Sequence, residues 1–95
     1  MPTTVVRYTA APERADENAS LIEKVMAELA ETRPEGLSYK VFRLEDDTFV
    51  HVAEVTAATN PLFDSPAFAA FTADIGSRVV APPVSLQARL VGSYP

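Results

Sequence analysis

The chain has 95 residues, which is one domain's worth. A chain of this size buries roughly 60–70% of the surface its unfolded form exposes, so the core is modest. Thirteen acidic residues against 8 basic ones leave a net charge of -5. The basic residues are scattered along the chain, which argues against a nucleic-acid partner, since phosphate contacts need clustered Lys and Arg. There is no cysteine and one histidine, His51. Disulfides, thiolate nucleophiles and zinc–thiolate sites are therefore excluded, as is a multi-histidine metal site within one subunit.

Thr3–Thr9 reads as a first strand, with Val5, Val6 and Tyr8 apolar and Arg7 among them. Ala11-Pro12-Glu13 breaks it. A helix follows from about Ala15 to Thr32, with Leu21, Ile22, Val25, Met26 and Leu29 on one apolar stripe. Asp16 and Glu17 fall in its first turn, where the helix dipole favours negative charge. Glu28 follows Lys24 by four on the other face and reads as an exposed ion pair. Pro34 stops the helix and Gly36 allows the chain to reverse.

Leu37–Leu44 is a second strand, and Glu45-Asp46-Asp47 is an acidic turn into a third, Thr48–Val55. Two carboxylates in a tight turn fall far short of a calcium ligand set, so this turn reads as solvated. If the loop is Asp46-Asp47 alone, Phe42 lies opposite His51. If Glu45 joins it, Val41 lies opposite His51 and Tyr39 stands two positions along on the same face. Residue types leave both registers open. In the third strand Phe49, His51, Ala53 and Val55 point one way, and Thr48, Val50, Val52 and Glu54 the other. Both sets are mostly apolar, as expected of a central strand with material packed on each face.

Asn60-Pro61 marks a turn in the linker Thr56–Asp64. Ser65 caps a second helix with Pro66 at its first position. Phe68, Phe71, Ile75 and Val79 form its stripe, and Ala67, Ala69 and Ala70 allow a close approach to the sheet. Ala81-Pro82-Pro83 ends it. Val84–Val91 is the last strand, with Val84, Leu86, Ala88 and Leu90 on one face. No repeat, phosphate-binding glycine loop or nucleophile elbow is present.

The order β-α-β-β-α-β over residues 1–95 predicts an α+β fold, a ferredoxin-like antiparallel sheet with both helices on one face. The first and third strands should be central. Two helices cover one face only. The apolar residues of the other face predict a homodimer packed sheet to sheet. No apolar run approaches the roughly 20 residues of a membrane span. The N-terminus lacks a basic segment followed by an apolar one. The expectation is a cytoplasmic protein without a membrane partner.

Several segments resemble the dimeric α/β barrel superfamily, and most of all its antibiotic biosynthesis monooxygenase-like branch. They are Val5-Val6-Arg7-Tyr8 with Pro12, Gly36–Arg43, Thr48–Val55 and Ser65–Phe71. The resemblance implies a homodimer, no cofactor, and an activity like that of small monooxygenases acting on aromatic or quinol-type molecules. The chain departs from the branch in two places. Glu54-Val55-Thr56 keeps the carboxylate of a Glu-x-Trp motif but lacks its Trp. Asn60-Pro61-Leu62-Phe63 has no His where relatives carry one. Haem-degrading relatives combine an Asn, a Trp and a His, and this chain has no Trp.

His51 is the candidate base, since its ordinary pKa suits proton transfer near neutral pH. The opposing reading is a histidine hydrogen-bonded within the sheet. Arg7, Tyr39, Phe68 and Phe71 are candidates for a pocket around a flat aromatic ligand. Each also has a plain use, Arg7 in an ion pair and the aromatic residues in the core. Glu54 and Arg89 are candidates for the subunit contact. Two functions compete: a small oxygenase, and a non-catalytic dimeric module that binds a small ligand.

Overall fold

The computed structural model describes residues 3–95; Met1 and Pro2 fall outside it. Four strands, β1 (Thr3–Thr9), β2 (Leu37–Arg43), β3 (Thr48–Val55) and β4 (Val84–Ala88), form one sheet in the order β2-β3-β1-β4. All neighbours are antiparallel, and β1 and β3 are central. Two helices, α1 (Ala15–Thr32) and α2 (Pro66–Ala73), complete the ferredoxin-like order.

The hairpin between β2 and β3 takes the register in which Val41 faces His51 and Tyr39 faces Ala53. Its loop is Glu45-Asp46-Asp47, closed by the Asp47 N–H donating to the Leu44 carbonyl at 3.1 Å. Asp47 has φ 65°, the left-handed residue that a three-residue hairpin needs at its third position. The Asp46 carboxylate accepts from the Thr48 N–H at 3.0 Å and fixes the loop. This choice of register puts Tyr39 within reach of His51.

α1 buries Ala15, Asn18, Ile22 and Val25 against the sheet. It ends at Arg33, whose N–H donates to the Leu29 carbonyl from the left-handed region. Gly36 then turns the chain at φ 77°, with the Ala57 backbone so near that a Cβ would lie 2.7 Å from its nitrogen. At the start of α2, the Ser65 hydroxyl accepts from the Phe68 N–H at 3.0 Å. The same hydroxyl donates to the Glu28 carboxylate, which also accepts the Ala67 N–H at 3.1 Å. Glu28 therefore ties α1 to the beginning of α2; among the described residues' ion pairs none joins it to Lys24. A carboxylate at this helix terminus meets both an unpaired amide and the positive end of the dipole.

Two elements are shorter than their patterns suggested. α2 stops at Ala73, and Ile75–Ser77 form a separate 3₁₀ turn. Val79 leaves the helical stripe and bridges Ala10 instead. Ala69 and Ala70 are exposed, and Ala67 is the inward-facing small residue of the three. β4 ends at Ala88, so Leu90 lies beyond the ladder and is 75% exposed.

The core lies between sheet and helices. Tyr8, Phe49, Ile22, Val25, Leu62 and Phe71 are buried there. Each such side chain contributes roughly 1.5–3 kcal/mol by leaving water. The opposite face carries Val5, Val50, Val52, Phe42, Val84 and Leu86, and nothing among the described residues covers it.

Candidate functional site

Alternation along β1, β2 and β3 sends Tyr8, Tyr39 and His51 to the helix-covered face. There the three rings meet, at centroid separations of 5.3 Å for Tyr8–His51 and 5.9 Å for Tyr39–His51. The imidazole is bonded at both nitrogens: Nε2 lies 2.8 Å from the Tyr8 hydroxyl and Nδ1 2.7 Å from the Tyr39 hydroxyl. Phe71 packs against His51 at 5.4 Å, and Phe68 meets Tyr39 edge-on at 6.3 Å.

Behind Tyr8 the network runs on into α1 and the 3₁₀ turn. The Asn18 Nδ2 donates to the Tyr8 hydroxyl at 2.9 Å. The Asn18 Oδ1 accepts from Arg78 Nε at 3.0 Å, and Arg78 also donates to the Phe71 carbonyl at 2.6 Å. The guanidinium lies 5.2 Å from the Phe71 ring centre. Asn18, His51 and Arg78 are buried, yet among the described residues no buried side-chain nitrogen or oxygen is left without a partner. That completeness is what a low-dielectric site requires, since an unmet polar group there costs several times what a made bond gains.

Burial sets the charge states. It pulls the His51 pKa down to about 4. It pushes the Tyr8 hydroxyl up to about 12, offset in part by the Asn18 hydrogen bond and the nearby Arg78 charge. Burial also raises the Tyr39 pKa, and the neighbouring Tyr8 adds to the rise. All three groups are neutral at pH 7.

A cavity of about 390 Å³ opens beside this cluster. Tyr39, His51, Phe68 and Phe71 line it, Asn60 and Ser85 add polar groups, and the largely exposed Phe63 stands at its rim. No Asp, Glu, Lys or Arg is among its lining residues. Tyr39 also borders a smaller hollow with Met26, Leu29 and Leu37. Its hydroxyl is held at the His51 end, on the side of the larger cavity.

Four sequence candidates, Tyr39, His51, Phe68 and Phe71, thus share one cavity. Arg7 does not. It lies between Val6 and Tyr8, so alternation puts it on the open face, exposed, in line with Val50 and Val84. Its assignment to the pocket is corrected for that reason. Glu54 is half-buried on the same open face, and Arg89 is exposed just beyond β4. Among the described residues Glu54 pairs with neither Arg7 nor Arg89; the ion pairs present are Arg14–Glu17, Arg43–Asp16 and Arg43–Asp47. His51 has no ring nitrogen free for a ligand, which weighs against its use as a free base and agrees with the opposing reading of a histidine hydrogen-bonded at the sheet. Its partners are the hydroxyls of two tyrosines, Tyr8 and Tyr39, and all three residues line the cavity.

Asn18 and Arg78 were not legible as site residues. Asn18 carried a signal, a polar side chain four residues before Ile22 and seven before Val25 on the apolar stripe. Arg78 carried none, because its burial depends on the break after Ala73.

No protein-family model and no curated protein matches the sequence. Solved structures do match its shape. A protein of unknown function from Nitrosomonas europaea superposes with TM-score 0.75 at 16% identity, over 99% of this chain and 92% of that one. An antibiotic biosynthesis monooxygenase matches with TM-score 0.71 at 18% identity, over 97% and 100%. SnoaB, a cofactor-independent oxygenase from Streptomyces nogalater, matches with TM-score 0.71 at 18% identity, over 99% and 96%. Identities this low carry the fold and not the activity. The fold of this chain is the ferredoxin-like fold seen in antibiotic biosynthesis monooxygenase-like proteins.

Proposed function

We propose that the protein takes a flat, neutral aromatic molecule bearing a phenol or carbonyl oxygen into the cavity beside His51. The observation that carries this reading is a cavity of about 390 Å³ walled by aromatic rings, without a formal charge in its lining. Such a lining favours apolar rings and disfavours phosphates and carboxylates, whose charge would be buried unpaired. Tyr39, backed by His51, supplies the polar contact for the ligand's oxygen.

The activity that fits best is oxidation of a quinol-type molecule by dioxygen; SnoaB, which shares the fold, is by its name a cofactor-independent oxygenase. The ligand's hydroxyl proton passes to solvent water at the mouth of the cavity, and the phenolate or enolate left behind is electron-rich enough to hand one electron to dioxygen, giving superoxide beside a ligand radical. A hydroxyl donor at its oxygen stabilises that anion as it forms. In this reading Tyr39 is the catalytic contact, and His51 orients it rather than acting as a free base. A second reading, ligand binding without turnover, is supported by the His51 pKa near 4, which makes the imidazole a weak base. In either reading the protein acts as a homodimer, with the open sheet face of one copy against that of another.

The test uses the single histidine as reporter. β-Naphthol is expected to move the His51 ring signals and to bind at least about tenfold more tightly than naphthalenesulfonate, the charge of which has no partner in the cavity. Equal binding of the two, or no response to either, overturns the ligand reading. Oxygen uptake with a naphthoquinol then separates turnover from binding. Uptake above the protein-free rate, lost in Tyr39→Phe, supports the oxygenase; a rate equal to the protein-free one leaves a binding module.

A further inference from the structure

Arg78 is 1% exposed, and none of the ion pairs among the described residues includes it. Its partners are neutral: an amide oxygen, a backbone carbonyl and a phenyl ring. A buried cation without a carboxylate is costly, and a fold retains one where it does something that a neutral residue does not. What Arg78 can do follows from the one-way chemistry of its bonds.

A guanidinium only donates, so the Asn18 atom facing Arg78 must be the oxygen. The Asn18 amide nitrogen therefore faces Tyr8 and donates to its hydroxyl oxygen. The Tyr8 proton then has one remaining acceptor among the described residues, His51 Nε2. A neutral imidazole carries one proton, so it sits on Nδ1 and is donated to the Tyr39 oxygen. Among the described residues the Tyr39 proton has no acceptor left, and it is free for the cavity that Tyr39 and His51 both line.

We propose that Arg78 is a positioning residue of this site: through Asn18 and Tyr8 it fixes His51 as the Nδ1–H tautomer, so that Tyr39 offers its hydroxyl proton to the oxygen of a bound carbonyl or phenol. The inference deepens the ligand reading and rests on it for the identity of the acceptor. The tautomer itself is a property of the free protein. A free histidine side chain in water favours Nε2–H, so Nδ1–H is a state the fold must impose.

The deciding measurement is long-range proton–nitrogen NMR on protein labelled with ¹⁵N-histidine, without ligand, at neutral pH. The wild type is expected to show Nε2 as the bare, pyridine-like nitrogen and Nδ1 as the protonated one. Arg78→Met frees the Asn18 amide to turn its oxygen toward Tyr8, which reverses the chain and moves the proton to Nε2. Arg78→Lys keeps a donor facing the Asn18 oxygen and is expected to restore Nδ1–H. Asn18→Leu removes the middle link and serves where Arg78→Met does not fold; it too is expected to shift the proton toward Nε2. An Nε2–H wild type overturns the proposal without any variant. A folded Arg78→Met or Asn18→Leu protein that keeps Nδ1–H overturns it as well, because a merely structural arginine would leave the tautomer unmoved. Ligand binding plays no part in this experiment, so its failure and the failure of the ligand reading are separate results.

Discussion

The two faces of the sheet are made by the same four strands and differ in nearly every physical respect. Beneath the helices, Tyr8, Phe49 and His51 are buried, and every buried polar side-chain atom there has a partner. On the other face Val5, Val50, Val52, Phe42, Val84 and Leu86 stand with Arg7 and Glu54, half-buried or exposed. The covered face is apolar with a polar thread running through it. The open face is apolar with charges set among hydrophobic side chains. The comparison teaches that alternation alone does not make a site. A strand delivers His51 to one face, but its chemistry is made by what α1, β1, β2 and the turn after α2 bring to it.

The sharpest way to break this comparison is acid. On the covered face His51 is held neutral, with its pKa at about 4 against 6.5 for the unfolded chain. The sign follows from proton binding. Between these values the unfolded chain takes up a proton that the folded chain refuses, so protons favour unfolding. Stability from this source is complete above about pH 6.5 and falls as the pH drops toward 4. The span corresponds to about 3 kcal/mol. Chemical denaturation at a series of pH values should show that decline in the wild type. His51→Gln should be less stable at neutral pH but should lack this part of the slope. Parallel slopes for the two proteins would mean that His51 is not held neutral by burial.

Much of the covered face could be read in advance. The strands, the start of each helix, the Ser65 cap and four of the aromatic or histidine residues that line the cavity followed from periodicity and turn chemistry, which are local, and the strand order from the handedness of the crossovers. The register of the β2–β3 hairpin did not, because it depends on Asp47 adopting φ 65°, and both loop lengths suit the residue types. The Asn18–Arg78 link was hidden for a related reason. It joins residues 60 apart in sequence, and no local pattern encodes which buried donor meets which acceptor. Arg7 shows the converse failure: the strand was right, but grouping Arg7 with the pocket residues ignored the alternation that puts it on the other face, opposite Val50.

A smaller effect is expected where the covered side is stitched together. Glu28 receives the Ser65 hydroxyl and the Ala67 N–H, joining α1 to the start of α2. Glu28→Ala leaves that amide without its partner and Ser65 without its acceptor. A loss of about 1–2 kcal/mol is expected, the size of a helix-cap deletion. Urea unfolding of the two proteins measures it. An unchanged midpoint would mean that water replaces the carboxylate at no cost, and that α2 is held by Phe68 and Phe71 alone.

The smallest effect on folding is expected from the open face, where it is also the most telling. Leu86 is 55% exposed and pairs with Val5 across β1 and β4. Leu86→Asp removes little buried surface within one copy, so the isolated monomer should lose no more than about 0.5 kcal/mol. The homodimer proposed above gives the same substitution a different consequence. Sheet-to-sheet packing would bury this side chain, and a carboxylate there would be desolvated without a partner. Sedimentation velocity across a dilution series should then find a wild-type dimer and a Leu86→Asp monomer that unfolds at nearly the same urea concentration as the dissociated wild type. A wild type that sediments as a monomer at every concentration would leave the apolar face exposed to water and sink the dimer. A variant that remains dimeric would move the contact elsewhere, away from β4. A variant that is monomeric and also strongly destabilised would show that the open face supports the fold of each copy, erasing the contrast between a face that holds the chain together and a face that holds two chains together.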